Sequence, residues 1–288
     1  MKTRTIGDVT VSAIGLGGMP LSIEGRPDDS RAIATIHAAL DAGITLIDTA
    51  DAYRLPGEDE SHNERVIAKA LKTYAGDTSQ VLVATKGGHH RTLARPGPWE
   101  QNGQPDYLKE AAKASLKNLG VDVIGLYQFH RPDPLVDYAD SVGAIRDLLD
   151  EGIIRMAGIS NANPAQILLA QKILDGRLVS VQNQFSPAFR SSEPELELSD
   201  ELGLAFLPWS PLGGIGGAAG LGDRFAPFQT LAAEHGVSAQ VICLAWELAK
   251  SPVVIPIPGS SRPETIRDSA SAVDVTLTAD EVALLDAA

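Results

Sequence analysis

Eight nearly continuous apolar runs recur along the chain, and their spacing constrains the fold more than any other feature. They are SAIGLG (12–17), ITLIDT (44–49), VLVATK (81–86), VIGLYQFH (123–130), MAGISN (156–161), LVSVQN (178–183), LAFLPW (204–209) and VVIPIP (253–258). A strand with one wet face alternates apolar and polar residues, whereas a run apolar throughout is buried on both faces, as in a parallel sheet covered by helices. Successive runs start roughly 35 residues apart, the length of one βαβ unit. The segments between them carry helical spacing: Ile33, Ile36 and Leu40; Leu108, Ala112, Leu116 and Leu119; Val142, Ile145 and Leu149; Val241, Leu244, Ala245 and Leu248. Gly43, Gly120, Gly152 and Gly176 each close a periodic stretch. Asn163 followed by Pro164 reads as a cap and first helical residue, and Thr278 with Glu281 as a capping box.

Eight βα units with no composition break or polar linker between them predict an α/β chain of one domain over 1–288, a closed (β/α)8 TIM barrel, with a doubly wound sheet as the main competitor. TRTIGDVTV ahead of the first barrel strand predicts a short N-terminal β-hairpin that turns at Gly7 and Asp8 and caps the barrel bottom. The stretch 89–106 and the glycine-rich PLGGIGGAAGLG (211–222) read as two long irregular loops on the face where barrel sites are built.

The remaining composition mainly excludes. Lysine plus arginine is 24 against 37 for aspartate plus glutamate, a formal charge of −13, which argues against nucleic-acid and anionic-membrane partners. A single cysteine, Cys243, leaves no internal disulfide or thiolate zinc cage and points to a reducing, cytoplasmic compartment. No apolar run approaches the ~18 residues of a membrane span. The chain lacks a GxxxxGK[ST] phosphate loop, a GxSxG elbow and an HExxH pair. GLGGMP (15–20) lacks the third glycine of a dinucleotide loop and runs into Pro20 instead of a helix.

Polar residues interrupt the apolar runs at their C-terminal ends: Asp48, Lys86, His130, and Ser160 with Asn161. In a barrel these converge on one mouth. Asp48 and Lys86 would stand on adjacent strands, where a carboxylate and an ammonium can pair, and Tyr53 follows on the loop leaving the first of them. A phenol, with a reference pKa of about 10, is a poor acid near neutrality unless a cation stabilises its phenolate. Lys86 could supply that cation, and His130 could direct a substrate oxygen toward Tyr53. No side chain gives a hydride, so a reduction here requires a nicotinamide.

Each residue also has a bland reading. Asp or Asn after a strand is commonly a turn residue, His130 could cap a strand end, and Trp209 could be core; a lysine ending a buried strand is harder to explain that way. Met19, Trp99, Tyr127 and Phe185 could line an apolar substrate pocket or simply pack. Cys243 lies in an apolar helix stripe and reads as inert. Adjacent His89 and His90 point in different directions and predict no metal site, and Glu64 reads as a helix-start carboxylate.

Taken together, GITLIDTADAY (43–53), VLVATKGG (81–88), LYQFHRPDP (126–134), AGISNAN (157–163), WSPLGGIGG (209–217) and IPGSSRPETI (257–266) resemble the aldo-keto reductases over essentially the whole chain. The resemblance implies a barrel that binds NADPH in extended form and reduces aldehydes or ketones to alcohols. It implies a tetrad of Asp48, Tyr53, Lys86 and His130, with Tyr53 as general acid. It implies that Ser160, Asn161 and Gln182 bind the nicotinamide carboxamide, that Trp209 stacks on the ring and that Ser210, Leu212 and Gly213 line the pyrophosphate. Gly259, Ser260, Ser261 and Arg262 resemble the loop for the adenosine 2′-phosphate. Thr265 stands where the family often has arginine, and Asp268 with Ser269 replaces a Glu-Asn pair, which admits NADH beside NADPH. The partner expected is a small carbonyl compound, the state a monomer or weak homo-oligomer. Two other functions stay open: a barrel lyase with a Schiff base on Lys86, and a cofactor-binding redox sensor without physiological turnover.

Overall fold

Runs that are apolar on both faces can be satisfied only between two layers, and they form the central sheet. The computed structural model describes residues 1–57, 61–91 and 99–288. In chain order its strands and α-helices are β1 (Thr3–Ile6), β2 (Val9–Ser12), β3 (Leu16–Gly17), α1 (Asp29–Asp41), β4 (Leu46–Asp48), α2 (His62–Thr73), β5 (Leu82–Gly87), β6 (His89–Arg91), β7 (Trp99–Gln101), α3 (Pro105–Leu119), β8 (Ile124–Phe129), α4 (Tyr138–Asp150), β9 (Ile154–Ser160), α5 (Pro164–Ile173), β10 (Leu178–Gln182), α6 (Glu193–Leu202), β11 (Ala205–Phe206), α7 (Leu221–Arg224), α8 (Ala226–His235), α9 (Ala239–Lys250), α10 (Pro263–Ala270) and α11 (Ala279–Asp286). Strands β3, β4, β5, β8, β9, β10 and β11 pair side by side in that order, all parallel.

The eighth run, 253–258, closes the ring without regular strand pairing. Phe206 N donates to Val253 O at 2.9 Å and Ile255 N to Phe206 O at 2.8 Å, while Gly15 N and Gly17 N donate to Pro256 O and Pro258 O, both at 2.9 Å. Pro256 and Pro258 have no N–H, so on that side the segment only accepts, and its ladder is interrupted. The result is a closed (β/α)8 barrel.

Side chains two apart on a strand share a face. Leu46, Leu82, Ala84, Leu126, Met156, Leu207, Ile255 and Ile257 point inward and fill the lower barrel. The β1–β2 hairpin closes that end, with Ile6 and Val11 joining the same cluster. Ser12 and Thr45 exchange side-chain-to-backbone hydrogen bonds of 2.8 and 2.9 Å, which fixes the hairpin to the barrel. Its turn needs Gly7: φ is +56°, and a Cβ there would come 2.9 Å from Val179 Cγ1. Outside the strands a larger apolar layer, including Ile36, Ile145, Ile167 and Phe228, joins them to the helices. The capping boxes at Asn163 and Thr278 form, and α3 ends on Gly120 at φ +67°.

Most of the described residues of the stretch 89–106 form regular elements where the sequence predicts an irregular loop. β6 and β7 pair antiparallel, His89 opposite Gln101 and Arg91 opposite Trp99, and α3 begins at Pro105. His90 Nε2 lies 3.4 Å from Glu100 Oε2, an opposite-charge pairing across the strands that favours this register when the imidazole is protonated. The glycine-rich stretch 211–222 likewise runs into α7 at Leu221. Positions 58–60 and 92–98 of the two mouth loops lie outside the described residues. Among the described residues, no helix is long and apolar enough to cross a membrane.

Candidate active site

Going up each strand, the inward positions change from apolar to polar: Leu46 then Asp48, Ala84 then Lys86, Leu126 then Gln128 then His130, Met156 then Gly158 then Ser160, Ser180 then Gln182, Leu207 then Trp209. Period-two geometry therefore delivers these side chains to one mouth.

Lys86 is the centre of that layer. Its side chain is fully buried, and Nζ donates to Asp48 Oδ2 at 2.6 Å, Thr49 O at 2.9 Å and the Tyr53 hydroxyl at 3.4 Å. An ammonium has three donors, and all three are engaged. Asp48 Oδ1 accepts from Gln182 Nε2 at 2.8 Å and Gln128 Nε2 at 3.4 Å. Burial alone would lower the Lys86 pKa, but the charges and hydrogen bonds of Asp48 and Tyr53 turn the net shift upward.

Tyr53 differs from the expectation of a depressed phenol. Burial, the largest influence, raises its pKa above the ordinary value; the Lys86 cation opposes this without outweighing it, and the Asp48 charge adds to the rise. His130 packs edge-on to Tyr53, ring centroids 5.8 Å apart, and its backbone N–H donates to Gly87 O at 2.9 Å. Burial, followed by Lys86, His89 and Arg131, holds the His130 imidazole well below its ordinary pKa. Its Nδ1 is buried without a partner among the described residues.

A cavity of about 600 Å³ opens above these groups. Asp48, Tyr53 and His130 line it, as do Ser160, Asn161, Gln182, Trp209, Ser210, Leu212, Gly259, Ser260, Ser261, Arg262 and Asp268. Lys86 and Gly213 do not: Lys86 lies behind Asp48 and Tyr53, and Gly213, at φ +81°, sits beside the Arg224 guanidinium next to the wall residue Gly214. Ser160 Oγ donates to Gln182 O at 2.6 Å. Asn161, at φ +57°, donates through Nδ2 to His130 O at 2.9 Å and Ser160 Oγ at 3.0 Å.

A family model for the aldo/keto reductase family matches residues 13–288. The chain belongs to the aldo/keto reductase family. It is 35% identical over 288 residues to an uncharacterised oxidoreductase of Schizosaccharomyces pombe, covering 99% of this chain and 89% of the relative. It is 33% identical over 285 residues to a 6-dehydroglucose reductase of Novosphingobium aromaticivorans, covering 93% and 88%. Its fold matches a crystal structure of an aldo/keto reductase from Klebsiella pneumoniae in complex with NADP and acetate, at TM-score 0.82 and 25% identity, over 99% of this chain and 94% of that one. The protein is thus an NAD(P)H-dependent aldo-keto oxidoreductase of small carbonyl compounds.

The wall of this aldo-keto reductase suits a dinucleotide in its donor chemistry. Trp209 Nε1 is buried and unpartnered among the described residues, and its residue lines the cavity. At the far end Arg262 precedes α10, whose first turn has no side-chain cap, so its N–H groups can receive an anion. Arg262 follows the eighth strand segment and Arg131 follows β8, the fourth barrel strand, which sets the two arginines across the mouth from each other. Asp268 Oδ2 accepts from Ser238 Oγ at 2.7 Å, at the start of α9.

Of the four proposed pocket aromatics and sulphur groups, Met19 and Trp99 line the cavity and Tyr127 and Phe185 do not. Tyr127 alternates with the inward Leu126 and Gln128, faces the helices and donates its hydroxyl to Leu108 O at 3.3 Å. Phe185 stacks on Trp246 at 5.5 Å. Three functional positions escaped the sequence reading. Gln128 shares its strand face with His130, a signal that alternation carries. His89 joins the wall, its ring 4.8 Å from that of His130. Arg131 lines the wall beside His130, with no sequence signal beyond adjacency. Glu64 stands in the first turn of α2, as a helix-start carboxylate should, and it is also buried: it accepts from Thr85 Oγ1 at 2.6 Å, and burial raises its pKa.

Proposed function

We propose that this aldo-keto reductase reduces aldehydes and ketones to alcohols using NADPH, with NADH as the alternative cofactor, and that Tyr53 is the general acid. The observation that carries the reading is the Tyr53 hydroxyl on the cavity wall, 3.4 Å from Lys86 Nζ and beside the His130 ring. When bound, the nicotinamide supplies the hydride. Ser160, Asn161 and Gln182 would hold its carboxamide, and Trp209 would pack on the ring. Ser210, Leu212 and Gly213 would follow the pyrophosphate, and Gly259, Ser260, Ser261, Arg262 and Asp268 the adenosine end.

Negative charge develops on the carbonyl oxygen as the hydride arrives, and Tyr53 donates its proton to that oxygen. A high phenol pKa keeps the proton in place until then, and the Lys86 ammonium stabilises the phenolate left behind. Asp48, tied to Lys86 and Gln182, fixes the ammonium against Tyr53. His130, neutral at working pH, donates to the carbonyl oxygen without competing as an acid. The closed barrel, running from β3 to the segment at 253–258, supports reading residues 1–288 as one catalytic unit.

The Schiff-base reading fits less well. Lys86 is off the cavity wall, spends all three donors and has its pKa raised, so it offers no free amine to a carbonyl. The test is NADPH oxidation, followed by near-ultraviolet absorbance, against aliphatic, aromatic, sugar and dicarbonyl substrates. Tyr53→Phe should lower kcat by about 10² to 10⁴ with cofactor affinity retained. Equal turnover removes Tyr53 from its role. NADPH binding without turnover of any substrate favours a redox sensor.

A further inference from the structure

The substrate end of the cavity contains a cation that the proposed chemistry does not use. Arg131 follows His130 beyond β8, is half-buried and lines the wall. One nitrogen, Nη2, donates to Asn161 Oδ1 at 3.1 Å, and no carboxylate among the described residues pairs with the guanidinium. A guanidinium carries five donors in a planar fork that matches an oxyanion, so most of its capacity is left.

Two simpler roles leave that capacity unexplained. Positioning Asn161 needs one donor and no charge, and the Asn161 amide is already held by His130 O and Ser160 Oγ. The 2′-phosphate end of the cavity belongs to Arg262, across the barrel mouth. The other ionisable groups near Arg131 do not compensate it. Asp48 is engaged by Lys86 and Gln182, and His89 and His130 are neutral imidazoles packed at 4.8 Å. A cation partly removed from water without a counter-charge costs free energy that an arriving anion offsets.

We propose that Arg131 anchors an oxyanion on the substrate, so that this cavity prefers carbonyl compounds carrying a carboxylate or phosphate group. The inference rests on the reductase reading above. In such a complex the carbonyl oxygen meets Tyr53 and His130, while the oxyanion takes the free edge of the guanidinium. His89 and Trp99, with ring centroids 5.2 Å apart, form the wall beside the carbon chain.

The experiment compares kcat/KM within pairs matched in chain: succinic semialdehyde against butyraldehyde, and glyceraldehyde 3-phosphate against glyceraldehyde. Wild-type enzyme should prefer the charged member of at least one pair by tenfold or more, chiefly through KM, and the pair that responds identifies carboxylate or phosphate. In Arg131→Met the ratio should fall toward one, and Arg131→Lys should keep part of it. Succinate should also compete with butyraldehyde in the wild type, and its binding to the NADP-loaded protein, read by calorimetry, should be lost in Arg131→Gln. A wild-type ratio near one in both pairs overturns the inference and leaves the reductase reading standing. Equal losses for both members in Arg131→Met also overturn it, making Arg131 a positioning residue for Asn161. Absence of turnover for all four compounds overturns the reductase reading, and the inference with it if succinate also fails to bind.

Discussion

The Lys86 ammonium meets the Asp48 carboxylate at 2.6 Å inside the barrel, with the lysine side chain wholly out of solvent. Such a pair contributes little net stability, yet removing one partner strands the other charge. Lys86→Met should therefore destabilise the fold by about 3–5 kcal/mol in urea denaturation. The double variant with Asp48→Asn should recover part of that loss, because no buried charge is left over. A double variant as unstable as the sum of the singles would show that packing, not charge, sets the cost.

That pair was legible in the sequence because both residues end apolar runs on adjacent strands, where parallel registry leaves little freedom. The inward set was legible to anyone counting by two: Gln128 has the phase of His130, and Tyr127 the opposite one. Other features depend on contacts that sequence order does not encode. The eighth run, 253–258, was legible as a strand, but the backbones that close the ring through it were not: Pro256 and Pro258 accept from Gly15 and Gly17 without donating, and Ile255 donates to Phe206. The β6–β7 pairing joins His89–Arg91 to Trp99–Gln101, segments of three residues each that are too short for alternation to mark as strands, although Pro96-Gly97-Pro98 between them carries a turn signal. The upward shift of Tyr53 reflects the burial of its ring, which packs against Trp99 and His130 from distant parts of the chain, a tertiary property.

Acid should loosen the mouth through His89. Burial, aided by Arg131 and His90, lowers its pKa from 6.5 to about 4. Between those values the unfolded chain takes up a proton that the folded chain refuses, so stability present above pH 6.5 is lost as pH falls. A shift of this size corresponds to roughly 3 kcal/mol, and His130, displaced in the same direction, adds to it. Denaturation midpoints over this window should fall more steeply for wild type than for His89→Gln. Parallel curves would mean that His89 titrates normally in the folded protein.

Cofactor choice should turn on Arg262. Its place before the uncapped first turn of α10 suits a phosphate, and only NADPH carries one at the adenosine 2′ position. Arg262→Ala should weaken NADPH by about tenfold or more, the loss of a charge-assisted hydrogen bond of about 1.5–3 kcal/mol. NADH should weaken much less. Fluorescence titration with both nucleotides decides it, and equal weakening would detach Arg262 from the 2′-phosphate.

Another buried acid, away from the mouth, lowers stability at neutral pH. Glu247, in α9, is fully buried, and neither carboxyl oxygen has a partner among the described residues. Burial raises its pKa well above the ordinary value, so the folded chain keeps a proton that the unfolded chain releases. Its contribution is therefore most favourable below about pH 4.5 and is lost as pH rises from there. Glu247→Leu removes both the unpartnered polar atoms and this proton linkage, and should raise stability near pH 8 by about 1–3 kcal/mol. Near pH 4 the gain should shrink, since the unfolded wild type then also holds its proton. Urea melts of the two proteins at both pH values give the comparison; a gain that does not depend on pH would trace to packing against Cys243 and its neighbours instead of to ionisation.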